Sequence, residues 1–266
     1  MNKVVHYYNF YDEDGRLMRD NTHKVEYLTT LYLLEKYIKT CSIILDASAG
    51  TGRYSFYLAE KGHIVTACDI VPKHVDTINE RMQSTSLLKK TFIMDARDMS
   101  MFDNESFDAV LCMGPLYHLE NEIERHKVIS ECLRILKNDG IILIAYINRQ
   151  ASYLIELKKE ETLQREFLDD ILSKGYQSGP KSEAFYFSSS QEIESFMSDF
   201  NVEMLCNAGV DGISYILADK INRYSESDYE YWLKNHIKYC TDPYLLGYSL
   251  HGLYIGKKKH ESKGIL

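Results

Sequence analysis

The sequence is poor in residues that break or staple a chain, with 4 Pro, 14 Gly and six cysteines in 266 residues. So few breakers beside 12% aromatics argue against extended disorder. The cysteines (Cys41, Cys68, Cys112, Cys132, Cys206, Cys240) form no C-x-x-C pair, and four of them sit inside apolar runs, as free buried thiols do. That usage suits a reducing cytoplasm. Long apolar stretches are missing too. The longest wholly apolar run, Ile141 to Ile147, is too short to span a bilayer, and Met1 to Tyr8 lacks the apolar core of a secretory signal. Positive charge is in deficit, with 31 Lys+Arg against 39 Asp+Glu and a net charge of -8, so there is no electrostatic footprint for duplex DNA or bulk RNA. The histidines show no metal-ligand spacing, and no metal site is assigned. What is abundant is tyrosine, 21 residues offering apolar area with a hydroxyl handle, most of them expected in half-buried packing.

The length suits one large α/β domain, or one carrying a sizeable insertion. From about Cys41, short apolar runs alternate with helical-period segments, the signature of a parallel sheet. Strands are expected at Ile43 to Asp46, His63 to Ile70, Thr91 to Ala96, Phe107 to Met113 and Gly140 to Asn148. Helices are expected at Gly52 to Lys61 and Lys73 to Gln83. A third is marked by Ile129, Cys132, Leu133 and Leu136 and ended by Asn138-Asp139-Gly140. Residues 151 to 174 read as helical, and Ser189 to Glu192 has capping-box spacing for a helix through about Met197. Val202 to Ala208 and Leu250 to Gly256 complete seven strands, separated by a helix whose face carries Tyr229, Leu233, His236, Ile237 and Cys240. Lys257 to His260 reads as a solvated tail. The division expected is 1–35, a lid; 36–148, a cofactor-binding core; 149–200, a substrate-side insertion; 201–258, sheet completion; and 259–266, the tail.

The informative stretch is Ile43 to Arg53. A strand running into a small-residue loop and then a helix points backbone N–H groups and a positive helix end at a ligand. A dinucleotide fingerprint would fall on Ser48, Gly50 and Arg53, and its third position fails. No Gly-Lys-Ser/Thr follows, which removes a Walker loop. The spacing Ser48, Gly50, Gly52 is nearly glycine throughout. Asp46 would repel a pyrophosphate and suit a cofactor bearing ammonium or sulfonium charge. Asp69 ends the second strand where a carboxylate would grip ribose hydroxyls, a feature dehydrogenases share. Asp95 ends the third. Each acid alone fits a turn or helix cap; three at successive strand ends, one beside a glycine loop, are harder to assign to turns.

These residues resemble the class I S-adenosylmethionine-dependent methyltransferases across roughly Cys41 to Asn148, and more loosely to Gly256. Asp46-Ala47-Ser48-Ala49-Gly50-Thr51-Gly52 looks like the family's first motif, with Ser48 in place of its first glycine. Asp69 matches the acid that binds the ribose, and Asp95-Ala96 the pair that receives the adenine. Phe107 to Leu111 with Gly114-Pro115-Leu116-Tyr117-His118 resembles the fourth strand and the loop lining the methyl site. The resemblance implies S-adenosyl-L-methionine as cofactor, held by Asp46, Ser48, Gly50, Gly52, Asp69, Ile70, Asp95, Ala96 and Met113. It also implies a doubly wound, Rossmann-like seven-stranded sheet in order 3-2-1-4-5-7-6 with the last strand antiparallel, so the Asp46 to Gly52 loop should face Met113 to His118.

Methyl transfer from a sulfonium is an in-line displacement with an activated leaving group, so alignment and exclusion of water supply much of the catalysis. His118 is the candidate general base, with packing or capping of the next helix as the competing reading. Tyr117 is the candidate for orienting the acceptor. The loop has no Asn/Asp-Pro-Pro-aromatic pattern, which together with the acidity disfavours nucleic-acid methylation and leaves a small molecule as the expected acceptor. Tyr7, Tyr8, Tyr11, Arg16, Arg19, His23 and Glu26 precede the fold and would cover the cofactor. Arg149, Tyr153, Phe185, Tyr186 and Phe187 would either wall a small, partly apolar or anionic acceptor or form an ordinary aromatic mini-core. A nicotinamide-dependent oxidoreductase and a non-catalytic adenosylmethionine-binding module are the rival readings.

Overall fold

The computed structural model describes residues 3–85, 87–159, 162–178 and 184–260. Its strands are β1 (Ile43–Asp46), β2 (Ile64–Asp69), β3 (Lys90–Ile93), β4 (Phe107–Cys112), β5 (Leu136–Asn148), β6 (Phe187–Ser188), β7 (Val202–Gly209) and β8 (His251–Lys258). They form one sheet in the order β3-β2-β1-β4-β5-β8-β7. Pairing is parallel from β3 to β5 and antiparallel where β8 lies between β5 and β7. The seven long strands thus have the expected order and the expected antiparallel strand. The two-residue β6 is an addition, pairing in parallel with Ile147 and Asn148 at the end of β5.

Helices cover both faces because the central strands are apolar on both sides. On one face Leu45, Val110 and Ile144 pack with Val128, Ile129 and Cys132 of α6 (Glu122–Ile135) and Ile193 and Met197 of α9 (Ser190–Met197). On the other, their strand neighbours Ile44, Ala109 and Leu143 pack with Leu33 and Leu34 of α3 (Asn21–Tyr37), Leu58 of α4 (Arg53–Glu60) and Ile78 of α5 (Pro72–Met82). The alternation of neighbouring residues between two buried faces is the period-two geometry of a strand. Two short helices, α1 (Lys3–Phe10) and α2 (Glu13–Arg16), precede α3.

Several local expectations need correction. Leu136 does not close α6 but opens β5, paired with Phe107, and a register shift follows at Asn138-Asp139-Gly140, where Asp139 has φ 60°. β3 ends at Ile93, so Met94, Asp95 and Ala96 turn off the sheet. The helical stretch at 151–174 is two helices, α7 (Arg149–Lys159) and α8 (Arg165–Lys174), with 160–161 outside the described residues. Lys257 and Lys258 belong to β8, with Lys258 Nζ donating to the Leu136 carbonyl at 2.8 Å. Of the expected tail, 261–266 lies outside the described residues. The Ser189 capping box is present, and α10 (Ala218–Ile221) and α11 (Glu226–Tyr239) lie between β7 and β8. Among the described residues no helix is long and apolar enough to cross a membrane.

Candidate active site

A cavity of about 450 Å³ opens at the carboxyl ends of the parallel strands, roofed by α1 and α2. Its size is that of a small-molecule site. The β1–α4 loop forms the floor. Gly50 (φ 54°) and Gly52 (φ 87°) take the left-handed conformation that a side chain resists, and the turn closes with Gly52 N–H donating to Ala49 O at 2.8 Å. A Cβ on Gly52 would meet Ile78 at 3.0 Å and Phe56 at 3.1 Å, so this glycine serves helix packing and does not line the cavity.

Ser48 stands in the cavity wall where the motif it resembles has a glycine, and the space is taken from across the switch point. A Cβ on Gly114 would lie 3.0 Å from Ser48 Cβ. The β4 side therefore supplies the missing side chain's room, and the two loops face each other as the strand order requires.

Asp69, at the end of β2, is held rigidly. Its Oδ2 accepts from Gly50 N–H at 2.8 Å, and its Oδ1 accepts from Val71 N–H at 2.8 Å and lies 3.2 Å from His74 Nδ1. One carboxylate thus joins the glycine loop to the start of α5. Ile70, Met94, Ala96 and Met113 supply apolar wall around it. Asp95 also lines the cavity. Arg97 chelates its carboxylate, with Nη2 at 2.6 Å, while reaching Glu124 at 2.6 Å. Burial would raise the Asp95 carboxyl, but the Arg97 contacts outweigh it and hold it below its ordinary range.

Asp46 departs from expectation. It is fully buried, does not line the cavity, and its Oδ2 accepts from Ser55 Oγ of α4 at 2.7 Å. Burial, aided by the Asp69 charge, pushes its carboxyl up to about 7.

The β4 loop carries Met113, Tyr117 and His118 into the cavity wall. Tyr117 donates its hydroxyl to the Met113 carbonyl at 2.8 Å, bracing its own loop. His118 Nδ1 lies 2.6 Å from Ala184 O, so it carries the proton, and Nε2 accepts from the Tyr8 hydroxyl at 3.1 Å. Burial pulls the His118 imidazole down to about 4, keeping it neutral, and pushes the Tyr8 phenol up. Tyr8 is wedged between two histidines, with ring centroids 5.1 Å from His74 and 5.5 Å from His118.

The roof contains the residues that sequence reasoning did not single out. Val4, Glu13 and Leu17 line the cavity with Tyr8 and Arg16, as do His74 and Arg97 below. His74 could have been flagged by its place in the first turn after Asp69. Glu13 and Leu17 carry no local signal, since tertiary contact alone brings them there. Arg16 extends into a buried charged network. It forks onto Glu26 at 2.6 and 2.9 Å, and Glu26 lies 3.3 Å from His251, which is 2.6 Å from Asp211. Burial disfavours the Glu26 charge, yet Arg16 and His251 hold its carboxyl at about 2. The ligand atoms of Glu26, Asp211 and His251 converge as a metal site's would, but here they are engaged with one another and with Arg16.

The segment after β5 takes the second of the two readings open from the sequence, an aromatic mini-core in which Phe187 clusters with Ile147 and Ile171 and Phe185 packs against them. Arg149, Tyr153, Phe185, Tyr186 and Phe187 do not line the cavity. Arg149 pairs with Glu192 at 2.8 Å and donates to Phe187 O at 3.1 Å, tying α7 to β6. Phe185 packs on His118 at 5.0 Å, and Tyr186 N–H donates to Tyr117 O at 2.8 Å. This segment buttresses the β4 loop from behind.

Comparison with known proteins agrees with the geometry. Residues 45–144 match the family model described as a methyltransferase domain. The chain is 33% identical over 102 residues to a glycine/sarcosine N-methyltransferase of Aphanothece halophytica, covering 38% of each chain. It is 29% identical over 137 residues to a ubiquinone biosynthesis O-methyltransferase of Glaesserella parasuis, covering 50% of this chain and 55% of that one. The matches thus span about two fifths to about half of these relatives. A solved methyltransferase of Methanosarcina mazei superposes with a TM-score of 0.60 at 18% identity, over 86% of this chain and 98% of that one, which shows the shared fold.

Proposed function

Because residues 45–144 form a class I S-adenosylmethionine-dependent methyltransferase domain, we propose that the chain transfers the methyl group of S-adenosylmethionine to a small-molecule acceptor. The observation that carries this reading is the Gly50–Asp69 bond at 2.8 Å, which fuses a glycine loop and a strand-end carboxylate into one floor. The bonds Asp69 already accepts fix its orientation, and its remaining lone pairs suit ribose hydroxyls. Ile70, Asp95 and Ala96 would hold the base. Ser48, Gly50 and Met113 would hold the sulfonium end, where the group supplies an activated methyl. With Asp46 turned into the protein, it supports the loop through Ser55.

On the acceptor side stand Tyr117 and His118. His118 directs the Tyr8 proton toward itself, which leaves the Tyr8 oxygen lone pairs for an acceptor N–H or O–H. Tyr117 keeps the loop in register. Within residues 1–35 the lid consists of α1 and α2, since α3 packs against the sheet. The six cysteines are free, five of them buried, which suits a reducing cytoplasm. The net charge of -8 favours a small acceptor over a nucleic acid. The test is S-adenosylhomocysteine release from S-adenosylmethionine in the presence of small amines, amino acids and phenols, with transfer RNA and duplex DNA in parallel. Product with a small acceptor alone is expected. Product with nucleic acid alone would overturn the acceptor class.

A further inference from the structure

The roof places a carboxylate and a guanidinium side by side at one end of the cavity. Glu13 Oε1 accepts from Arg16 Nε at 3.1 Å, the two side chains are 18% and 19% exposed, and both line the cavity. The pair sits over the glycine loop: a Cβ built on Gly50 would lie 3.5 Å from Glu13 Cγ and 3.9 Å from its Oε1. The placement is secured from both sides. Arg53 of α4 donates to Asp14 O at 2.9 and 2.6 Å. Arg81 of α5 bonds the Asp14 carboxylate at 2.5 Å and the Thr51 carbonyl at 2.7 Å. α2 is therefore docked on the β1–α4 loop, with Glu13 and Arg16 turned inward.

Strand order says what part of a ligand they meet. Asp95 follows β3, Asp69 ends β2, and the glycine loop follows β1, in the order β3-β2-β1-β4. A ligand with its base near Asp95 and ribose at Asp69 continues over the glycine loop, beneath α2. In S-adenosylmethionine that continuation is an α-amino acid, with an ammonium and a carboxylate on one carbon. Something must face that ammonium, and Asp46, the acid the motif offers, is fully buried and bonded to Ser55.

We propose that Glu13 and Arg16 read the amino-acid end of the cofactor, Glu13 accepting from the ammonium and Arg16 donating to the carboxylate. Arg16 has the donors to do so. Its Nε serves Glu13 and one hydrogen on each terminal nitrogen serves Glu26, leaving the second hydrogen of each terminal nitrogen. The bidentate grip of Glu26 holds the guanidinium plane in place. The roof thus contributes to cofactor specificity as well as to excluding water. This inference rests on the adenosylmethionine reading above.

The test uses the full chain and binding calorimetry with S-adenosylhomocysteine, its decarboxylated analogue and 5′-methylthioadenosine, which lacks the amino acid. E13Q should weaken S-adenosylhomocysteine about tenfold or more, as loss of a charge-assisted bond does, and leave methylthioadenosine within about twofold, since that ligand lacks the ammonium. E13D, which keeps the charge, should recover part of the loss. R16K should narrow the wild-type preference for S-adenosylhomocysteine over the decarboxylated analogue, since a lysine loses the planar fork. Equal weakening of all ligands by E13Q, or no weakening of any, overturns the proposal while leaving the cofactor reading intact. Failure of the wild type to bind any of the three overturns both.

Discussion

The Tyr8 hydroxyl donates to Nε2 of His118 across 3.1 Å, joining the first helix of the chain to the loop after β4, 110 residues away. This bond closes the roof on the β4 side of the cavity, as Arg16–Glu26 does on the other. It also satisfies the lone pair of an imidazole that burial keeps neutral.

Tyr8→Phe should therefore loosen α1 without unfolding the domain. A net hydrogen-bond loss of about 1 kcal/mol would raise the open population of α1 several-fold. Hydrogen exchange of the α1 amides should accelerate by about that factor, with β4 and β5 unchanged. Unchanged exchange in α1 would show that the bond does not hold the roof.

Gly114→Ala should cost about 1–2 kcal/mol in denaturant unfolding, because the new Cβ would stand 3.0 Å from Ser48 Cβ and 3.1 Å from its Oγ. Ser48→Gly in the same chain should return most of it. Additive losses in the double variant would contradict the contact.

His118 gives a pH dependence whose sign is fixed. Its folded value of about 4 lies below the ordinary 6.5, so protons favour the unfolded chain. Its contribution is full above about pH 6.5 and is lost as pH falls toward 4, by up to about 3 kcal/mol. Unfolding titrations of the wild type and His118→Gln should diverge over that window and run parallel above it.

Asp46 works in the opposite direction. Its folded value of about 7 lies above the ordinary carboxyl range, so its contribution is full below about pH 4 and is lost as pH rises through 7. Relative to Asp46→Asn, the wild type should lose stability across that rise. Curves that stay parallel from pH 4 to 8 would mean the Asp46 proton is not shared with the fold.

The sheet was legible because its central strands are buried on both faces and so appear as near-continuous apolar runs. Leu136 is ambiguous in the sequence because it continues the i, i+3, i+4 spacing of α6 while being buried as the first residue of β5, and periodicity cannot separate the two. The spacing places Asp46 at a strand end, where it lies, but side chains on a strand alternate. It shares the face of Ile44, which packs toward α4, and so reaches Ser55 instead of the cavity. Asp69, Asp95 and the glycine loop could be read from local spacing. Glu13 and Leu17 could not, because α2 is docked through Asp14 by Arg53 and Arg81, 39 and 67 residues away. The aromatic segment at Phe185–Phe187 stands out only by composition, which does not say which side of His118 it covers.

The central claim, that the cavity floor built on Gly50 and Asp69 takes an adenosyl compound with an amino-acid tail, is tested most directly by thermal unfolding. The chain would be melted with S-adenosylhomocysteine, S-adenosylmethionine, NAD and NADP in parallel, each near a hundred times a micromolar-scale dissociation constant. Saturation at that level adds about 2.7 kcal/mol, a shift on the order of several degrees for a chain of this length. A shift with the two adenosyl compounds alone, reduced in Asp69→Ala, is the predicted result. A shift with NAD or NADP alone would contradict the account.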